Sequence, residues 1–256
     1  MREEIKIFFT ALMFYTRIPC PSWIDHSEEY INKATRYFPL IGWIVGIACA
    51  LIVFCSAMLF STSVSIILSM IVSILLTGAF HEDGFGDVCD GFGGGWTKEK
   101  ILEIMKDSRM GAYGVIGLIL LLALKFFTLI ELLNLDLWFC LKSLILAHVL
   151  SRFMAVTVIF THEYAREDAT SKIKPIAKKL NLKNLVVSAI WLVPAFLLFQ
   201  NMYVFLALIP VYAMKIYLAN YFQKWIGGYT GDCLGATQQV TEITTLLFCL
   251  GLWKFI

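Results

Sequence analysis

From residue 38 onward the chain alternates long apolar runs with short polar segments. A helix needs about 20 apolar residues to cross roughly 30 Å of hydrocarbon. Runs at 38–60, 62–80, 112–133, 138–160, 184–200 and 203–222 read as such spans, and a shorter apolar tail covers 243–256. The pattern predicts an all-α fold: a polytopic integral membrane helical bundle of six to seven transmembrane helices, forming one transmembrane domain over residues 1–256. The N-terminal stretch MREEIKIFFTALMFYTRIPCP has a short apolar core, early glutamates and no small-residue cleavage site, so it reads as a retained amphipathic helix on the membrane surface rather than a leader. No internal repeat, low-complexity tract or linker divides the chain.

Composition strengthens the membrane reading. The chain is 59% hydrophobic and 16% charged, with a mean hydropathy of +0.76, against roughly 25% charged residues in soluble domains. A net charge of +2 gives no basis for nucleic-acid binding. Connections at 61–63, 134–137 and 200–202 contain no Lys or Arg, whereas 1–37, 81–110, 161–183 and 223–242 contain sixteen of the twenty-one. The positive-inside rule turns those four segments to the cytoplasm, which places the protein in the cytoplasmic membrane with its polar segments on the inner side. The other five, Lys125, Lys142, Arg152, Lys215 and Lys254, either snorkel to an interface or face the bundle interior. Seven cysteines without paired spacing read as packing residues.

The polar segments carry the candidate chemistry. FHEDGFGDVCDGFGGGW at 80–96 holds four carboxylates and six glycines. On a helix, Asp83, Asp87 and Asp90 fall within about 60° of one another, while Glu82 points roughly 100° from Asp83 and is a weaker partner for the same ion. Three such carboxylates repel unless a cation neutralises them, and an oxygen-only donor set favours Mg²⁺ where substrate phosphates complete the shell. A merely solvated loop is the plain alternative. The glycines do not form a nucleotide loop, because GFGGGWTK lacks the phosphate-loop spacing; they give clearance for a bulky ligand. His81 reads as a hydrogen-bonded neighbour. Asp232, in TGDCLGATQQVTE, is a second acidic point whose alternative is a first-turn helix residue. Lys106, Arg109 and Arg166 supply the positive charge that phosphoryl transfer places on non-bridging oxygens.

HEDGFGDVCDGFGGGWTKEKILEIMKDSRMGAYGVIGL, together with IGGYTGDCLGA, FYTRIP, RYFPLIGWIVG and YAR, resembles the cobalamin synthase family along the whole chain. One departure is visible: YAR continues as AREDATSKIKP instead of a glycine-containing turn, which bears on Arg166. The resemblance implies a Mg²⁺-dependent membrane transferase joining adenosylcobinamide-GDP to alpha-ribazole, or its 5'-phosphate, with release of GMP. It maps Glu82, Asp83, Asp87 and Asp90 to metal binding, and Asp83, Asp87, Asp90 and Asp232 to catalysis. Lys106, Arg109, Arg166, Gly91 and Gly231 become substrate-binding candidates. The implied partners are the two substrates and the bilayer, with room for a homo-oligomer. Two rivals are a CDP-alcohol phosphotransferase, whose Ala-Arg pair after Asp-Gly is missing here, and an ion transporter, which would place its carboxylates at the bilayer midplane.

Overall fold

The computed structural model describes residues 2–24, 27–165 and 181–255. α1 (Arg2–Tyr15) buries Ile7, Ala11, Leu12 and Tyr15, the spacing of one helical face, and leaves Glu3 and Glu4 outside, as an amphipathic surface helix should. α2 (Glu28–Ala34) starts at Ser27, whose hydroxyl accepts from the Tyr30 N–H, and passes through a 3-10 turn into α3 (Phe38–Ser56). α4 (Thr62–Thr77), α5 (Phe80–Gly94), α6 (Lys98–Ile104), α7 (Ala112–Leu135) and α8 (Leu137–Thr161) follow, and α9 (Leu182–Ile190), α10 (Leu192–Leu197), α11 (Leu208–Ile226) and α12 (Gly231–Leu252) complete the order. Thr97, Asp136, Asn181 and Thr230 cap α6, α8, α9 and α12 through their side-chain oxygens. No strand forms among the described residues.

The protein is a multi-pass membrane protein, but among the described residues the candidate spans number four or five rather than six or seven. Glu29–Ser56, Ala112–Leu135, Leu137–Thr161 and Met202–Ile226 are long and apolar enough to cross, and α4 with α5 makes a fifth only if that pair, bent by 89°, counts as one span. The run at 184–200 splits into α9 and α10, because Pro194 has no N–H to carry the hydrogen-bond ladder through the junction. The apolar tail is the second half of α12, whose first half is polar.

The break between α4 and α5 positions the site. Gly78 and Ala79 both take left-handed conformations (φ 67° and 57°), and the Gly78 and Ala79 N–H groups both donate to the Ile74 carbonyl. This is the usual way a helix end satisfies its last carbonyls. The Arg17 N–H donates to the Leu76 carbonyl at 2.7 Å, tying the segment after α1 to the same corner. α5 therefore leaves the direction of α4 and runs against α7 and α12. α8 is buried along nearly all its length and is the central post of the bundle, with Leu144, Leu150 and Leu246 in its core. α7 and α11 expose Ile116, Leu120, Ile209 and Tyr217, as lipid-facing helices do.

Candidate active site

The helical reading of 82–91 holds, so Asp83, Asp87 and Asp90 share one side of α5. Their environments differ. Glu82 and Asp90 are buried, at 7% and 8% exposure, whereas Asp83 is exposed and Asp87 half-buried. The Asp90 carboxylate accepts the Gly111 N–H at 2.6 Å and the Gly114 N–H at 2.8 Å, so both its oxygens cap the N-terminus of α7, where the helix dipole favours negative charge. A Cβ on Gly111 would lie 2.5 Å from Asp90 Oδ1, so the glycine is what lets the carboxylate in.

Asp232 comes to α5 through a close crossing of two helices. A Cβ on Gly84 would stand 3.0 Å from Asp232 Cα, and one on Gly235 would stand 3.1 Å from the His81 carbonyl, so only small residues allow this approach. Asp232 is half-buried in the first turn of α12 and accepts the Thr230 hydroxyl at 3.2 Å. Its backbone thus touches α5 one residue from Asp83. Gly231 lines a narrow slot with Phe14, Phe38, Phe80 and His81. His81 is buried and stacks on Phe38 at 5.5 Å.

An open cavity of about 840 Å³ adjoins Asp90 and is lined by Lys100, Lys106, Arg109 and Gly111. It gathers two of the predicted cations beside the acidic helix. Arg109 forks onto Asp107, with Nε donating at 3.0 Å and NH2 at 2.7 Å, and these bonds lower the Asp107 carboxyl to about 2. Gly91 instead faces α6, where a Cβ would meet Met105 Cγ at 2.5 Å and the Ile101 carbonyl at 3.2 Å. Arg166 lies outside the described residues.

Sequence reasoning missed a charge centre inside the bundle. Glu242 of α12 accepts from the Lys125 ammonium of α7 and from Gln238 Nε2 at 2.5 Å, with His148 Nδ1 of α8 at 3.1 Å and Arg152 NH1 at 3.9 Å. Arg152 also donates to the His148 carbonyl at 2.9 Å. One turn toward the α12 N-terminus, Gln239 Nε2 donates to Glu82 Oε1 at 3.0 Å. Of the five basic residues in spans, Lys125, Arg152 and Lys215 are buried, so these three face inward. A cation that cannot reach the interface needs a partner in the bundle, and that rule applied to Lys125 and Arg152 would have pointed to Glu242.

Among the described residues no three His, Cys, Asp or Glu side chains group closely enough to hold a metal ion by themselves. The accessible donors on α5 are the oxygens of Asp83 and Asp87. That set fits Mg²⁺, which binds through one or two carboxylates with substrate phosphates completing its shell. All seven cysteines are free, and none competes as a soft-metal framework.

The family described as cobalamin-5-phosphate synthase matches residues 7–250. The adenosylcobinamide-GDP ribazoletransferase of Leptospira interrogans is 46% identical over 258 residues, covering 98% of this chain and 96% of that protein. Its counterpart in Shewanella frigidimarina is 43% identical over 248 residues, covering 97% and 95%, and that of Shewanella amazonensis is 43% identical over 254 residues, covering 99% and 98%. No solved structure matches the chain.

Proposed function

The chain belongs to the cobalamin-5-phosphate synthase family, and we propose that it catalyses the transfer named for its relatives, joining adenosylcobinamide-GDP to alpha-ribazole or its 5'-phosphate. The observation that carries the reading at the level of residues is the mouth of the bundle. Asp90 of α5 borders a cavity lined by Lys106 and Arg109, the same helix carries exposed Asp83 and half-buried Asp87, and α12 crosses it at Gly84 beside Asp232. Such a site has negative charge for a metal, positive charge for phosphate oxygens, and room for a large substrate.

The reaction is a displacement at phosphorus. The ribazole hydroxyl oxygen bonds to the corrinoid-side phosphorus, the bond from that phosphorus to the bridging oxygen breaks, and GMP leaves with that oxygen. Asp232 or an α5 carboxylate takes the hydroxyl proton, which then passes to solvent. Lys106 and Arg109 hold non-bridging oxygens and orient the pyrophosphate. Asp83 and Asp87 are the residues that would hold Mg²⁺, and the ion, when bound, supplies neutralisation of the charge on the pyrophosphate oxygens. The cationic connections support a mouth that faces the cytoplasm.

The test is GMP release and product formation by purified protein in detergent, with adenosylcobinamide-GDP and alpha-ribazole, with and without Mg²⁺. Asp87→Asn should reduce turnover by about 100-fold or more at saturating Mg²⁺ while the protein stays folded. Turnover near that of the unaltered enzyme would remove Asp87 from the site.

A further inference from the structure

The acidic stretch looks uniform in sequence, yet the fold divides it. Asp90 is spent on the N-terminus of α7, and Glu82 points inward to Gln239 of α12. They are eight positions apart, so they stand about 12 Å apart along the helix and about 80° apart around it. Two attachments so spaced, to two different neighbours, fix both the roll and the height of α5. Asp83 and Asp87, which lie between them in the chain, are the more accessible pair.

Gln239 is itself held in place. The next turn of α12 carries Glu242, which is gripped from α7 by Lys125 and approached from α8 by His148 and Arg152. Gln238 links the same carboxylate to Ser151 of α8 at 3.2 Å. The chain of contacts runs from α7 and α8 through Glu242 to α12, and through Gln239 to Glu82. Lys125 and Arg152 are also within electrostatic reach of Glu82. Buried charges that serve stability alone are a poor bargain against apolar packing.

We propose that Glu82 is a positioning residue: anchored through Gln239 to the intramembrane charge centre at Glu242, it sets the roll of α5 so that Asp83 and Asp87 stay turned to the mouth. The proposal rests on the transfer reaction above and assigns metal contact to its neighbours, not to Glu82. The carboxylate matters for where it ties the helix.

The decisive variant exchanges the two partners. Glu82→Gln with Gln239→Glu keeps the buried charge count and a hydrogen bond across the same interface, but removes the carboxylate from α5. Purified full-length proteins are compared for kcat, KM and Mn²⁺ binding by electron paramagnetic resonance, with Glu82→Gln alone as reference. Positioning predicts that Glu82→Gln lowers kcat about tenfold with KM and Mn²⁺ affinity within about twofold of the unaltered protein, and that the exchange recovers kcat to within about threefold. A Mn²⁺ affinity weakened about tenfold or more in both variants would make Glu82 a ligand and overturn the proposal. Unchanged kcat in Glu82→Gln, or no recovery in the exchange, would overturn it as well. Because the exchange is charge-neutral, it keeps the test open if Glu82→Gln alone does not fold. Failure of the unaltered enzyme to couple its substrates would sink the function instead, and Mn²⁺ affinity would then decide the assignment of Glu82.

Discussion

Replacing Asp90 by Ala removes two hydrogen bonds at once. The Gly111 and Gly114 N–H groups, now donating at 2.6 and 2.8 Å to a carboxylate, would lose their partner at the first turn of α7. A hydrogen bond to a charged group contributes about 1.5–3 kcal/mol, and loss of a helix cap costs about 0.5–2 kcal/mol. The two bonds share one carboxylate and are not additive, and Gly111 borders the open cavity, where water can replace part of what is lost. The net cost is therefore about 2–3 kcal/mol. For a chain of this size that is a fall in melting temperature of roughly 4–12 °C. Intrinsic fluorescence during heating in detergent reads it directly, since the chain has 7 Trp. Asp90→Asn should lie about midway, because a carboxamide offers one oxygen to the two N–H groups. If Asp90→Ala melts within about 1 °C of the unaltered protein, the capping argument is wrong.

Two further outcomes follow from other contacts. Gly84→Ala should separate α5 from α12, because its Cβ would press on the Asp232 backbone at 3.0–3.1 Å, and backbone cannot swing aside; a loss of about 1–3 kcal/mol with reduced coupling activity is expected, and an active, equally stable variant would contradict the close crossing. Asp107 gives a pH signature. Its folded value of about 2 lies below the unfolded carboxylate value, so its contribution is complete above roughly pH 4 and is lost as pH falls through about 2. Melting curves of Asp107→Asn and the unaltered protein should converge as the buffer is acidified from pH 5 toward 2, and a gap that widens in acid would refute the Arg109 pairing.

What could be read from the chain depended on whether the physics was local. Helix type and the shared side of Asp83, Asp87 and Asp90 follow from period and spacing, and both appear in α5. The number of spans does not follow, because a corner at Gly78 and Ala79 is invisible in an apolar run that continues across it. A glycine followed by an alanine gives no warning that both take positive φ; the corner is enforced by the Ile74 carbonyl and by Arg17, about sixty residues away in sequence. The roles within the acidic stretch are hidden for the same reason. Nothing in HEDGFGDVCD distinguishes Asp90 from Asp87 until the N-terminus of α7 arrives beside one of them.

The charge centre at Glu242 sharpens that contrast. Lys125, His148, Arg152, Glu242 and Glu82 come from four helices, and each alone would carry a heavy desolvation cost in the bundle interior. Together they offset one another only if α5, α7, α8 and α12 meet in one register, because an ion pair in a low-dielectric interior loses its compensation when its partner moves away. Lipid tails are as apolar as leucine, so apolar packing alone leaves helices freer to slide and roll past one another. Directional charge pairs restrict that freedom, and they do so here on the helices that carry Asp83, Asp87 and Asp232. The centre thus supplies to α5 and α12 an orientation that apolar packing against lipid cannot.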